Sequence, residues 1–217
     1  MPNALRLYAV TANDHGHPIP ENGAGEGGPG GGGGRGGTEL MAFRDLAAIV
    51  APTDYVPATV TGEAIEEHRR VVDAVFHRAP VLPAPVGTVF RSKETLLRWM
   101  ELHYVALTEA LDFVEDRAVA RVHVRRDDGK EEDSGADLAA AAAEAFRALR
   151  RQSVAAVPLK SEHLTGIVLS SAFLLDKELW SEFVAAVEEQ RHRNESLQFD
   201  LSGPWPPFDF VRMQFGG

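Results

Sequence analysis

From Ala118 to Leu201 the hydrophobic pattern runs through one order of periods: strand, helix, strand, strand, helix, strand. Ala120, Val122 and Val124 alternate with Arg121 and His123, the period-2 signature of a half-buried strand over Ala118 to Val124. Ser134 and Asp137 form a capping-box pattern ahead of an alanine-rich helix to about Arg151, with Leu138, Ala142, Ala145, Phe146 and Leu149 on its buried stripe. Ser153 to Leu159 and Leu164 to Leu175 read as two strands joined by a turn near Lys160 to His163. Asp176 is placed to cap a helix from Lys177 to His192, whose inward residues are Trp180, Phe183, Val184 and Val187. Leu197, Phe199 and Leu201, alternating with Gln198, Asp200 and Ser202, close the set. The order β-α-β-β-α-β predicts a ferredoxin-like domain, with two helices over one face of an antiparallel sheet.

Gly203 and Pro204 end the last strand in this reading, because proline donates nothing to a ladder and glycine invites a change of direction. Trp205-Pro206-Pro207-Phe208 follows as a short stiff segment flanked by aromatics. Aromatics held at so little entropy cost are either pinned to a neighbouring domain or offered to a partner. The expectation is a tail, residues 204–217, that packs back towards the N-terminal domain. Trp205, Pro206, Pro207, Phe208 and Phe210 are the candidate partner-binding residues.

The remaining chain predicts a first α+β domain over residues 1–116, followed by the ferredoxin-like domain over 117–203. The fold class is thus α+β, with two small α/β domains. Leu5 to Val10 reads as a strand and Phe43 to Val50 as a second one beside it. Between them, residues 14–38 carry GAGEGGPGGGGGRGG, which cannot bury enough to offset its ordering entropy and reads as a disordered loop. It is no phosphate cradle: no lysine is present and no helix follows directly. Glu63 to Arg78 has a helical stripe of Ile65, His68, Val72, Val75, Phe76 and Ala79. Val81 to Phe90 is apolar but broken by Pro83 and Pro85, which suits an edge strand or irregular pairing. Ser92 caps a long helix to about Asp116, buried through Leu96, Met100, Tyr104, Leu107, Leu111 and Val114.

Composition narrows the function classes. The 217 residues are 44% hydrophobic and 25% charged, ordinary for a globular protein with a proper core. A net charge of −10 argues against nucleic acid as the main partner. No apolar run is long enough to span a bilayer and no secretory signal is visible, so a cytoplasmic location with no membrane partner is expected. The absence of cysteine excludes disulfides, thiolate catalysis and cysteine-ligated zinc.

The catalytic inventory is thin. Glu67 and His68 share a helix turn and His103 lies on the next helix, but no HExxH or His-x3-His spacing supports a metal site. Ser170 and Ser171 sit inside a strand, not on a nucleophile elbow. No catalytic residue, cofactor or metal is expected, and an enzyme is not. A rival reading is a ferredoxin-like small-molecule sensor or regulatory module, using Arg121, His123, Gln198 and Asp200 on the outward face of two neighbouring strands. A metal-dependent enzyme using His68, His103 and Glu67 ranks third.

Three segments in the same order resemble the gas vesicle protein F/L family. They are LRLYAV, then GEAIEEHRRVVDAVFHRAPVLPAPVGTVF, then SSAFLLDKELWSEFVAAVEE with LQFDLSGPWPPFDFV. Within them the family-like motifs fall at Pro80 to Phe90, Ala172 to Asp176 and Ser202 to Val211. The resemblance implies a non-enzymatic accessory protein of gas vesicle assembly. Its implied partners are the hydrophobic shell protein and other gas vesicle accessory proteins, met during nucleation or growth.

Overall fold

The computed structural model describes residues 4–13, 37–55, 60–127, 135–160 and 166–211. The chain divides between Glu115 and Asp116 into two compact units. The glycine tract, Ser134 and the turn at 161–163 lie outside the described residues.

The first unit is organised around β1 (Ala4–Ala12), buried through Leu7, Tyr8, Ala9 and Val10. β1 pairs antiparallel with β3 (Leu46–Thr53), and β3 pairs with β2 (Glu39–Phe43). Phe43 to Val50 is therefore not one strand. A two-residue turn at Arg44-Asp45 splits it into a hairpin, with Arg44 at φ 56°. The Arg44 guanidinium lies 5.2 Å over the Phe43 ring and 4.7 Å over the Tyr104 ring, and Asn13 Nδ2 donates to the Arg44 carbonyl at 3.0 Å. These contacts hold a left-handed arginine that nothing in FRDLAAIV announces.

On its other side β1 carries β4 (Val81–Pro83) and β5 (Val89–Phe90), both antiparallel. The prolines divide Val81 to Phe90 into these two pieces, and Gly87 at φ 85° makes the turn between them. α1 (Gly62–Phe76) is capped by Thr61, whose Oγ1 accepts from Ala64 N–H at 3.2 Å. His68, Val72, Val75 and Phe76 are its buried residues; Ile65, expected on that stripe, is exposed. The long helix after Ser92 is two, α2 (Lys93–Leu102) and α3 (Tyr104–Val114), broken at His103. The imidazole Nδ1 of His103 lies 2.8 Å from the Trp99 carbonyl oxygen, a side-chain bond in the place where the helix breaks.

In the second unit the elements are β6 (Arg117–Arg126), α4 (Gly135–Arg151), β7 (Ala155–Pro158), β8 (Ile167–Asp176), α5 (Trp180–Arg193) and β9 (Leu197–Trp205). The sheet order is β7-β8-β6-β9, with every neighbouring pair antiparallel. This is the split β-α-β arrangement that the periodicities predict. Its core joins Ala120, Val122, Val124, Phe173, Leu175, Leu197 and Phe199 of the sheet to Leu138, Ala142, Ala145 and Leu149 of α4 and Phe183 and Val187 of α5. The Phe173 ring stands 5.7 Å from Phe146 and 5.3 Å from Phe183.

Asp176 does not cap the last helix. Its Oδ1 accepts from Arg117 Nε at 3.0 Å instead, and Lys177–Leu179 forms a short 3₁₀ turn before α5 starts. Nor does β9 stop at Leu201. It continues through Gly203 and Pro204 to Trp205, which pairs with Val119. Two conditions allow this: β9 is an edge strand, so proline loses no ladder partner, and a bulge between Val119 and Arg121 absorbs the extra residue.

Candidate functional site

The expected partner-binding residues begin where β9 ends. Trp205 is half-buried and its Nε1 donates to Ser202 Oγ at 3.2 Å. Pro206 and Pro207 are buried and so offer little surface to a partner. The chain then turns tightly, with Phe210 N–H and Val211 N–H both donating to the Pro207 carbonyl. Phe208 and Phe210 are half-buried. Trp205 and Phe210 lie against Val119, Ala172 and Leu174, the apolar end of the sheet face opposite α4 and α5. The described part of the tail, 204–211, is thus seated on the second unit's own sheet; residues 212–217 lie outside the described residues.

One ion pair fastens the turn. Arg121 Nε donates to Asp209 Oδ2 at 2.9 Å and Arg121 Nη2 to Asp209 Oδ1 at 3.2 Å, with the carboxylate largely shielded. A two-point contact of this kind fixes the orientation of both groups as well as their distance. Arg121 is therefore committed to the tail and not to a ligand pocket. The other residues of the sensor reading are also engaged: His123 Nδ1 with Ser170 Oγ at 2.7 Å, Asp200 with Arg125 at 2.7 Å, and Gln198 with Asp127 at 3.0 Å. The polar end of this face is a lattice of mutual contacts.

The metal reading places Glu67, His68 and His103 in the first unit, but they do not converge. Among the described residues no group of three metal-ligating side chains comes together. His68 is buried, its ring 5.4 Å from that of Tyr8; burial pushes its pKa below the ordinary value, with a hydrogen bond to the Ala84 backbone opposing the shift. Glu67 accepts from Tyr8 Oη at 2.7 Å and from Arg6 Nη1 at 3.1 Å. Burial first, and then the Glu67 carboxylate, push the Tyr8 phenol up to about 12. This Arg6–Tyr8–Glu67–His68 network escaped sequence reasoning, since β1 and α1 are about 60 residues apart with no motif linking them.

With this geometry in view, the sequence matches the family described as "Gas vesicle synthesis protein GvpL/GvpF" over residues 4–138 and 130–212. The chain belongs to the GvpL/GvpF family. It is 26% identical over 180 residues to gas vesicle protein F2 of Halobacterium salinarum, covering 81% of each chain. It is 24% identical to gas vesicle protein F of Haloferax mediterranei, covering 80% of this chain and 81% of that one. Among solved structures, GvpF from Anabaena is similar with a TM-score of 0.77 at 16% identity, over 98% of this chain and 100% of that chain. GvpF from Microcystis aeruginosa is similar with a TM-score of 0.73 at 14% identity, over 97% of this chain and 100% of the other. At those identities the two structures bear on fold alone.

As a GvpL/GvpF member the chain takes a role in gas vesicle formation. Among the described residues no helix is long and apolar enough to cross a membrane. The GPWPPFDF segment that carries the family resemblance proves to be a built-in part of the second unit, with Gly203 closing against Val119 and Asp209 taking Arg121.

Proposed function

We propose that this protein is a non-catalytic accessory factor of gas vesicle assembly that contacts the hydrophobic shell protein, or other accessory proteins, during nucleation or growth. Membership of the GvpL/GvpF family across nearly the whole described chain carries this reading. The half-exposed rings of Trp205, Phe208 and Phe210 supply the contact in the second unit. They stand on a turn held by the Arg121–Asp209 pair, so little ordering entropy remains to be lost when a partner covers them. Pro206 and Pro207 shape the turn from inside.

Co-purification with a co-expressed shell subunit tests the proposal. The intact chain is expected to capture the subunit, and Phe208→Ala with Phe210→Ser to lose it while keeping the far-ultraviolet dichroism of the parent. Capture by both moves the contact surface elsewhere. Capture by neither, with other accessory proteins also absent from the eluate, contradicts the assembly role.

A further inference from the structure

A sheet edge invites pairing with another chain, and proteins blunt their edges with prolines, lysines, very short strands or side chains laid over the outer backbone groups. In the second unit both edges are blunted. β7 has four residues and ends on Pro158. On β9, Arg191 Nη2 donates to the Phe199 carbonyl at 2.6 Å, Leu197 N–H donates to the Asn194 carbonyl at 2.9 Å, and Pro204 has no N–H to offer. In the first unit one side of the sheet ends in β4, three residues including Pro83, and in β5, two residues. The other side ends in β2, which is different. Its five residues, Glu39 to Phe43, contain no proline or lysine, and among the described residues no strand pairs with its outer side. Leu40 is 46% exposed, and Ala42, on the same face of the strand, is exposed as well.

Opposite charges mark the two ends of this strand. Glu39 begins it and Arg44 follows it in the turn; both are exposed, and neither has an ion-pair partner among the described residues. The Arg44 guanidinium lies 5.2 Å over the Phe43 ring. Glu39 and Phe43 are four residues apart in a strand and so point to one face. Antiparallel pairing of β2 with β2 of a second copy, centred on Met41, engages all five residues. It sets Leu40 opposite Ala42 and Glu39 opposite Phe43, with cross-strand Cβ atoms about 5 Å apart. Glu39 of one copy then meets the guanidinium that Arg44 of the other lays on Phe43, and two-fold symmetry makes the ion pair twice. Parallel pairing would set Glu39 beside Glu39 and is disfavoured.

We propose that β2 is a self-association edge, pairing antiparallel with β2 of a second copy of this chain through reciprocal Glu39–Arg44 contacts. The ladder between the strands supplies the attraction, and the charges at its ends fix direction and register. The surface lies in the first unit, whereas Trp205, Phe208 and Phe210 lie in the second, so it stands independently of the contact proposed above.

Sedimentation of the full chain over a range of concentrations tests this. The parent should be a reversible dimer. Glu39→Arg sets arginine against Arg44, and Arg44→Glu sets glutamate against Glu39, so each variant alone should associate about tenfold or more weakly. Mixed one to one, the two should form a heterodimer about as tight as the parent, because both end contacts are again between opposite charges. Leu40→Lys leaves Glu39 and Arg44 in place and should also weaken the dimer about tenfold, since lysine on an edge blocks pairing. Glu178→Arg in the second unit should change it by less than about twofold, the behaviour of a site outside an interface. All four positions are exposed, and circular dichroism checks each fold. A monomeric parent at its highest soluble concentration overturns the proposal. So does a dimer that Glu39→Arg and Leu40→Lys leave intact. Folded charge variants that associate no better together than apart overturn the antiparallel register.

Discussion

Replacing Gly203 with alanine puts a methyl group 2.6 Å from the Val119 carbonyl oxygen and 2.8 Å from Cη2 of Trp180. The first neighbour is backbone of the central strand β6 and the second is a bulky ring, so neither yields easily. The residue also sits at φ 130°, where a side chain is strained even in open space. Backbone strain of this kind costs roughly 1–3 kcal/mol and overpacking roughly 1–3 kcal/mol. One local shift relieves part of both, so the two do not add fully and the expected loss is about 3 kcal/mol. For a unit of this size that lowers the melting temperature by more than about 10 °C. Urea unfolding followed by tryptophan emission reads it directly, because Trp180 and Trp205 flank the site; the midpoint should fall with the slope unchanged. Gly166 is the internal control. It has φ 77° but nothing within 4 Å of where a methyl would stand, so Gly166→Ala should cost only the strain, about 1–2 kcal/mol. If Gly203→Ala is no worse than Gly166→Ala, close packing is not what demands glycine there, and close passage of β9 over Val119 is not the reason for the residue.

Asp209→Ala leaves Arg121 half-buried without its two-point partner, and should cost about 1–2 kcal/mol and make Trp205 more accessible to acrylamide quenching. Unchanged quenching would show that the turn holds without its ion pair. His68 is held neutral by burial, with its pKa below the unfolded value near 6.5, so the unfolded chain takes up the proton first as pH falls. Its contribution is therefore complete above about 6.5 and is lost as pH drops through the lower folded value; a His68→Leu chain should show a flatter dependence of unfolding midpoint on pH over that window. Tyr8, pushed up to about 12, should be the last of the three tyrosines to give phenolate absorbance on alkaline titration, and the Tyr8→Phe chain should lack that late step.

The β-α-β-β-α-β order of the second unit was legible because each element there has an apolar face of clean period, as in Ala120-Val122-Val124 and Leu197-Phe199. What escaped the sequence was decided by groups far apart in the chain. Gly203-Pro204 carries the local signature of a strand end, yet the edge position and bulge of β9 let pairing go on to Trp205. Asp176 has the composition of a cap, but Arg117 claims its carboxylate across the β6–β8 pairing. The hairpin turn at Arg44 contains no glycine or proline, and the Tyr104 ring that lies against its guanidinium is far along the chain. The helix break at His103 is a local exception: its imidazole bonds to the Trp99 carbonyl one turn back, with no glycine or proline to mark the place. Of the candidate site, the aromatic-proline segment was visible from its composition. Its anchor was not, because Arg121 and Asp209 are 88 residues apart.

Gas vesicle formation in living cells tests the central claim most directly. In a host that forms vesicles, the gene for this chain is removed and vesicles are counted by electron microscopy. Few or no vesicles are expected after removal, and their return when the wild-type chain is supplied. Normal vesicle number and shape in the deletion strain, with no other GvpL/GvpF member expressed, would contradict a role in their assembly.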